Sequence, residues 1–225
     1  MQGPTLNHCR MNYGASCRQM RALGGDCYDF CCQTDGRLAM LVGDASGKGV
    51  AAALMMASVQ ASLRTAALFT GNNLAALLRV VNAQACALSL ADRYATLFYA
   101  ALDREARTLR YVNAGHNPPI VLHNDGSIDW LEPSGAPVGL FSDAIWQERV
   151  IRLQAGDRVI AYTDGVTEAS SVSGEEWGVD GLLRAVNGRE TESADELVRS
   201  ILDAMDDFSG GVQTDDATVA VLCVL

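Results

Sequence analysis

Residues 37–57 read RLAMLVGDASGKGVAAALMMA. An apolar run ends on Gly43 and Asp44, a glycine-rich turn follows, and an Ala- and Met-rich stretch without Gly or Pro comes next. That order reads as strand, tight turn, buried helix. The turn invites comparison with a nucleotide-binding loop, G-x-x-x-x-G-K-[ST]. It fails that comparison three times. Three residues, not four, separate Gly43 from Gly47; Lys48 is followed by Gly49, which has no hydroxyl; and Asp44 would repel a triphosphate. What remains is a carboxylate at a strand end, a good position for a metal ligand.

Working outward, CYDFCCQ (27–33) and RLAMLVGDA (37–45) read as strands joined by a hairpin-type turn, TDGR. A helix over Val50–Phe69, apolar on most faces, is broken by TGNN, and a second runs through LAALLRVVNAQACALSLA (74–91). ATLFYAALD (95–103), TLRYVNAG (108–115) and PPIVLHN (118–124) are strands. After the loop SGAPVGLFSD come the strands WQERVIRL (146–153) and RVIAYTDG (158–165). Ser170–Val179 reads as irregular and mobile, helices follow over Val179–Asn187 and Ala194–Met205, and DATVAVLCVL (216–225) is a central buried strand. Hairpin connections imply antiparallel pairing. Two antiparallel sheets packed face to face with helices outside accommodate this pattern, as does one mixed sheet with helices on one side.

The chain has 225 residues, about half of them apolar, and a formal net charge of −10. One domain, residues 1–225, is expected. The acidic balance disfavours nucleic acid and anionic membrane as partners. No apolar run is read as long enough for a membrane helix and no signal core stands in MQGPTLNHCRMNYG, so a cytoplasmic protein is expected. The seven cysteines contain no C-x-x-C pair and are read as reduced small hydrophobes.

Four aspartates share one setting, beside Gly or a turn at one end of a strand: Asp26 in GGDCYDF, Asp44 in VGDASGKG, Asp164 in YTDGVTE and Asp215 in QTDDATVAV. Singly, each is ordinary turn chemistry. Together they suit hard divalent cations, which take oxygen ligands and offset the mutual repulsion of gathered carboxylates.

In this order, GGDCYDF, VGDASGKGVAAALMMA, NAGHNPP, YTDGVTEA and TDDATVAVL resemble the PPM-type metal-dependent serine/threonine phosphatases, most of all the bacterial branch of the sporulation stage II phosphatase and the sigma-factor regulators. The resemblance runs from about Leu23 to Val224. It implies an α+β fold, an α-β-β-α sandwich, with two Mn²⁺ or Mg²⁺ ions at one end. It places Asp44 as the bridging ligand, the Ala45 carbonyl beside it, and Asp26, Asp164 and Asp215 as further ligands, with Asp44 and Asp26 serving catalysis. Gly165 matches the small residue on an element that can shift, and Asp216 and Lys48 are candidates for the surrounding shell. The cations would supply an activated water for in-line attack on phosphorus, so no covalent nucleophile is required. The implied substrate is a phosphorylated protein resembling an anti-anti-sigma factor. An upstream sensor or receiver domain is common in the branch, so the chain is expected to be either a fragment or a member without its own sensor.

Lys48 reads as a solvated loop residue or the partner of a nearby acid rather than a phosphate ligand. His116 reads as a buried residue tying the strand to the Pro turn rather than a general acid. His8 and His123 read as surface residues. A non-catalytic binding module on the same surface and a small-molecule phosphoester hydrolase are the alternatives to a protein phosphatase.

Overall fold

The computed structural model describes residues 12–88 and 93–225. Its strands are β1 (Asn12–Arg18), β2 (Cys27–Cys32), β3 (Leu38–Ala45), β4 (Ala95–Asp103), β5 (Thr108–Ala114), β6 (Ile120–Leu122), β7 (Ile128–Trp130), β8 (Arg149–Arg152), β9 (Arg158–Tyr162) and β10 (Ala217–Cys223). Its helices are α1 (Val50–Thr70), α2 (Leu74–Ala87), α3 (Asp164–Thr167), α4 (Gly178–Val186) and α5 (Ala194–Ser209). One sheet has the order β1-β10-β9-β6-β7, the other β2-β3-β4-β5-β8, and every strand pairing is antiparallel.

The period-2 alternation of the strands divides their side chains between two cores each. On β3, Leu38, Met40 and Val42 join Phe98 and Leu102 of β4 and Ala220 and Leu222 of β10 in the core between the sheets. Ala39 and Leu41 face the other way, onto Met55, Val59 and Leu63 of α1 and Leu77 and Val81 of α2. Ile160 and Tyr162 of β9, with Val219 and Val221 of β10, pack outward on Leu182 of α4 and Leu197, Ile201 and Met205 of α5. Three apolar layers thus hold an α-β-β-α sandwich, and the single mixed sheet is excluded.

Several elements depart from the sequence reading. β1 carries NYGASCR, too polar and small to read as a strand, yet it pairs with β10 along its whole length. β7 is three residues and mostly exposed, and β8 is shorter than the predicted 146–153. α2 ends at Ala87, short of the expected Ala91; residues 89–92 lie outside the described ones. The segment after α3 is irregular as expected, with residues 172–176 exposed, but it is fastened at its base: Ala169 and Trp177 are buried, Ser170 bridges Glu176, and the Trp177 amide donates to the Ala169 carbonyl.

α1 also corrects the expectation that no stretch could cross a membrane. By length and mean hydropathy, 1.3, it is apolar enough to do so. Only one face is buried, on β3 and α2, while Val50, Leu54, Leu68 and Phe69 are exposed. The cysteines are mixed as well. Cys17, Cys27, Cys31, Cys86 and Cys223 are free thiols, but Cys32 is disulfide-bonded, so the reading of uniformly reduced cysteines fails there. Cys9 and His8 lie outside the described residues.

Candidate metal centre

β2 starts, β3 ends, β9 ends and β10 starts at the same end of the sandwich, so the four aspartates meet there. Strand parity aims them. After Leu38, Met40 and Val42, Asp44 takes the next inward position on β3. Asp26 continues the inward row of Phe30 and Cys32 on β2, Thr163 that of Val159 and Ala161 on β9, and Thr218 that of Ala220 and Leu222 on β10. The apolar core between the sheets therefore ends in a cap of carboxylates and hydroxyls.

Asp26 is the buried member, 7% exposed. Its Oδ2 accepts hydrogen bonds from Thr163 Oγ1 and Thr218 Oγ1, each 2.7 Å. Thr163 Oγ1 in turn accepts from the Thr218 amide at 2.9 Å, so the two threonines lock each other and one carboxylate oxygen. Burial, partly offset by these hydroxyls and reinforced by Asp216 and Asp164, pushes Asp26 up to about 6. Asp44 is pushed up to about 8 by burial and then by Asp26, Asp164, Asp215 and Asp216. Asp164, at the start of α3, is also raised, first by burial, with Asp215 among the causes. The groups lie in one another's field, and their joint ionisation calls for added positive charge.

The backbone closes on the same spot. A Cβ on Gly25 would stand 2.9 Å from both the Ala45 carbonyl oxygen and Asp44 Oδ1, so those two oxygens face one place. The Ala45 amide donates to the Gly25 carbonyl at 3.2 Å. A Cβ on Gly165 would stand 1.9 Å from the Asp216 carbonyl oxygen, so only glycine lets α3 lie this close to the start of β10.

Lys48 pairs with Asp215, Nζ to Oδ2 at 2.7 Å, the two side chains 49% and 36% exposed. Asp216 lies close enough for its charge to act on Asp26 and Asp44, but its oxygens are committed to backbone amides. They accept the Met20 amide at 2.8 Å and the Gly25 amide at 2.9 Å, which fastens the β1–β2 loop. Among the described residues, no three His, Cys, Asp or Glu side chains converge tightly enough to hold one ion together. The donor set is nevertheless all oxygen, without thiolate or imidazole, and fits hard cations such as Mn²⁺ or Mg²⁺.

Sequence reasoning missed Thr163, Thr218 and Gly25. Inward parity along TDDATVAVL and RVIAYTDG carried the signal for the two threonines. It also missed the partners of His123, a partly exposed residue whose Nδ1 meets Asp157 at 3.1 Å and Nε2 meets Asp129 at 3.2 Å; burial lowers its pKa, but this pairing outweighs that and raises it.

Comparison with known proteins agrees with this architecture. Protein IcfG of Synechocystis sp. is 28% identical over 248 residues, which covers 96% of this chain and 38% of that protein. Phosphoserine phosphatase RsbU of Bacillus subtilis is 26% identical over 213 residues, covering 94% of this chain and 63% of the relative. The chain thus spans less than two thirds of either. The solved SiaA-PP2C domain of Pseudomonas aeruginosa shares the fold, with a TM-score of 0.83 over 97% of this chain and 87% of that one, at 20% identity. The family model of stage II sporulation protein E (SpoIIE) matches residues 34–225, a span that includes Asp44, Asp164 and Asp215 but not Asp26, and the chain therefore belongs to the SpoIIE family.

Proposed function

We propose that this chain is the catalytic domain of a metal-dependent phosphoprotein phosphatase that hydrolyses phosphoserine or phosphothreonine. The observation that carries this is the gathering of Asp26, Asp44 and Asp164 at one sheet end, each raised by burial and by the neighbouring carboxylates. Asp44 with the Ala45 carbonyl, and Asp26, Asp164 and Asp215, would hold two Mn²⁺ or Mg²⁺ ions. When bound, such ions lower the pKa of a water and neutralise charge developing on phosphoryl oxygens. The protein does the rest. Thr163 and Thr218 occupy one oxygen of Asp26 and leave the other for the site. Gly165 brings α3, and with it Asp164, against the start of β10, so a shift of α3 would make or break the site. Lys48 holds Asp215 at the rim.

The substrate in this reading is a phosphorylated regulator of the anti-anti-sigma type, acting in the cytoplasm. Similarity to phosphoserine phosphatases RsbU and RsbP supports it. A sensor or activator domain attached to this one is in keeping with the greater length of the relatives.

The test is hydrolysis of a phosphoserine peptide and of a nucleoside monophosphate in EDTA, Mg²⁺ and Mn²⁺. Turnover of the peptide with metal and none in EDTA is expected. Full turnover in EDTA would remove the metal-centre reading, and preference for the nucleotide would make this a small-molecule hydrolase.

A further inference from the structure

Residues 50–88, the α1–α2 hairpin, break the charge pattern of the chain. The protein carries 27 acidic residues, yet this stretch holds none, and its only charges are Arg64 and Arg79. The hairpin packs its inner face on Ala39 and Leu41 of β3. Its outer face is apolar, and no described residue covers it. Val50, Leu54, Leu68 and Phe69 of α1 and Val80 and Leu88 of α2 are each 49–83% exposed. Covering those six would remove roughly 700 Å² from each partner, close to the ~800 Å² that one side of a stable interface buries. An apolar patch of this size on a folded domain marks a contact surface.

The exposed positions of α1 are ordered. Val50, Leu54, Ala57, Ala61, Arg64 and Leu68 follow steps of 4, 3, 4, 3 and 4, the seam of a helix that lies along another helix. Side-chain sizes along the seam read large, large, small, small, large, large. That order is the same from either end. A second α1 laid antiparallel on the first therefore sets Val50 against Leu68, Leu54 against Arg64 and Ala57 against Ala61. Each pair then occurs twice about one two-fold axis. The alanines at the centre let the two helix axes approach to about 8 Å. Arg64 does not oppose this. Its Nε and Nη2 are both taken by Asp29 of the same chain, at 2.6 Å each, which leaves its methylene stem to cover Leu54 of the copy. The same axis lays α2 on the α2 of the copy.

We infer that the outer face of the α1–α2 hairpin is a self-association surface, on which a second copy of this chain docks with α1 antiparallel to α1 about a two-fold axis near Val59. The charge pattern favours a copy over other occupants. At a net charge of −10, two copies repel wherever acidic residues meet, and this is a stretch where none do. Anionic lipid would be repelled by the rest of the chain. An unrelated helix also fits an apolar seam, but only a copy of α1 makes use of a size order that reads alike from both ends. The inference does not depend on the phosphatase reading.

The test uses the full chain without added metal. Sedimentation velocity up to about 100 µM, well above the Kd of a standard interface, should show a reversible dimer. Ala61→Glu places two carboxylates beside the axis and should weaken that dimer by roughly 100-fold. Position 61 is exposed, so the far-UV circular dichroism of wild type should remain. Register is read by cross-linking with a short bis-maleimide. Val50→Cys/Leu68→Cys separates its two new thiols by about 27 Å along one helix, but brings each against the other position of the copy. The double variant should therefore give a covalent dimer. Each single variant should give no more than wild type, whose natural cysteines set the background. A wild type that stays monomeric, a dimer untouched by Ala61→Glu, or single variants that cross-link as well as the double would each overturn the inference. Binding of the monomer to phosphatidylcholine vesicles, lost in Ala61→Glu, would overturn it too, by making the face a membrane surface.

Discussion

Gly165→Ala is the sharpest perturbation the structure offers. The added Cβ would sit 1.9 Å from the Asp216 carbonyl oxygen and 2.9 Å from its carbonyl carbon, and real Cβ atoms do not approach within 3.0 Å. The gap must open by more than an ångström. Asp216 cannot yield easily, because its side chain is tied to the Met20 and Gly25 amides and its own amide donates to Asp215 Oδ1. α3 must therefore move and carry Asp164 with it. Overpacking of this kind costs about 1–3 kcal/mol. Misplacing a ligand by about an ångström costs roughly 10²-fold in rate. The control is Gly36→Ala, at φ +86° with nothing within 4 Å of the new Cβ. It should lose about 1–2 kcal/mol to left-handed backbone strain and keep wild-type activity. Tm by circular dichroism and kcat/KM on a phosphoserine peptide in Mn²⁺ separate the two. The expected result is a similar loss of Tm in both variants and a collapse of kcat/KM in Gly165→Ala alone. If Gly165→Ala keeps kcat/KM within about three-fold of wild type, the close approach does not position Asp164.

Asp44→Asn should abolish turnover and yet raise the Tm of metal-free protein at high pH. Burial and the neighbouring carboxylates push Asp44 up to about 8 from its ordinary 3.8, so its ionisation weakens the fold as pH rises between them; Asn is exempt. In EDTA the Tm difference should vanish below about pH 4 and grow toward about pH 8, and a constant difference would show that Asp44 is not so perturbed. Thr218→Val removes one hydroxyl from Asp26 and should cost about 1.5–3 kcal/mol with Asp26 ionised; because the hydroxyl favours the charged form, denaturant titrations should show a smaller loss below about pH 5. His123 gains stability from Asp129 and Asp157 when protonated. Its folded pKa is raised, so that gain is full below about 6.5 and is lost as pH rises through the folded value. The Tm difference between wild type and His123→Ala should shrink accordingly from acid to alkaline pH, and an increase would reverse the assignment.

The sequence by itself determined the elements whose chemistry is local. Hydrophobic period and turn residues placed β2 to β6, β9, β10 and most of the helices, because each carries a long apolar face or a sharp glycine turn. The ordered aspartate motifs marked the candidate ligands before any strand was paired. Tertiary structure decided what depends on partners. β1 is a strand only because β10 offers it a full ladder, since NYGASCR has no apolar alternation of its own. The segment around Trp177 is fastened at that indole, which packs with Val166 of α3 and Leu182 of α4, a contact invisible in the polar run SSVSGEEWG. Asp215 and Asp216 are adjacent and chemically identical, yet one meets Lys48 at the rim and the other clamps two amides below it. Strand parity separates such neighbours, and only the paired sheets say which side faces the site. His116 shows the same limit: its sequence context says buried, but the contact of its ring with Thr96, opposite Asp44, appears only once β4 is paired with β3.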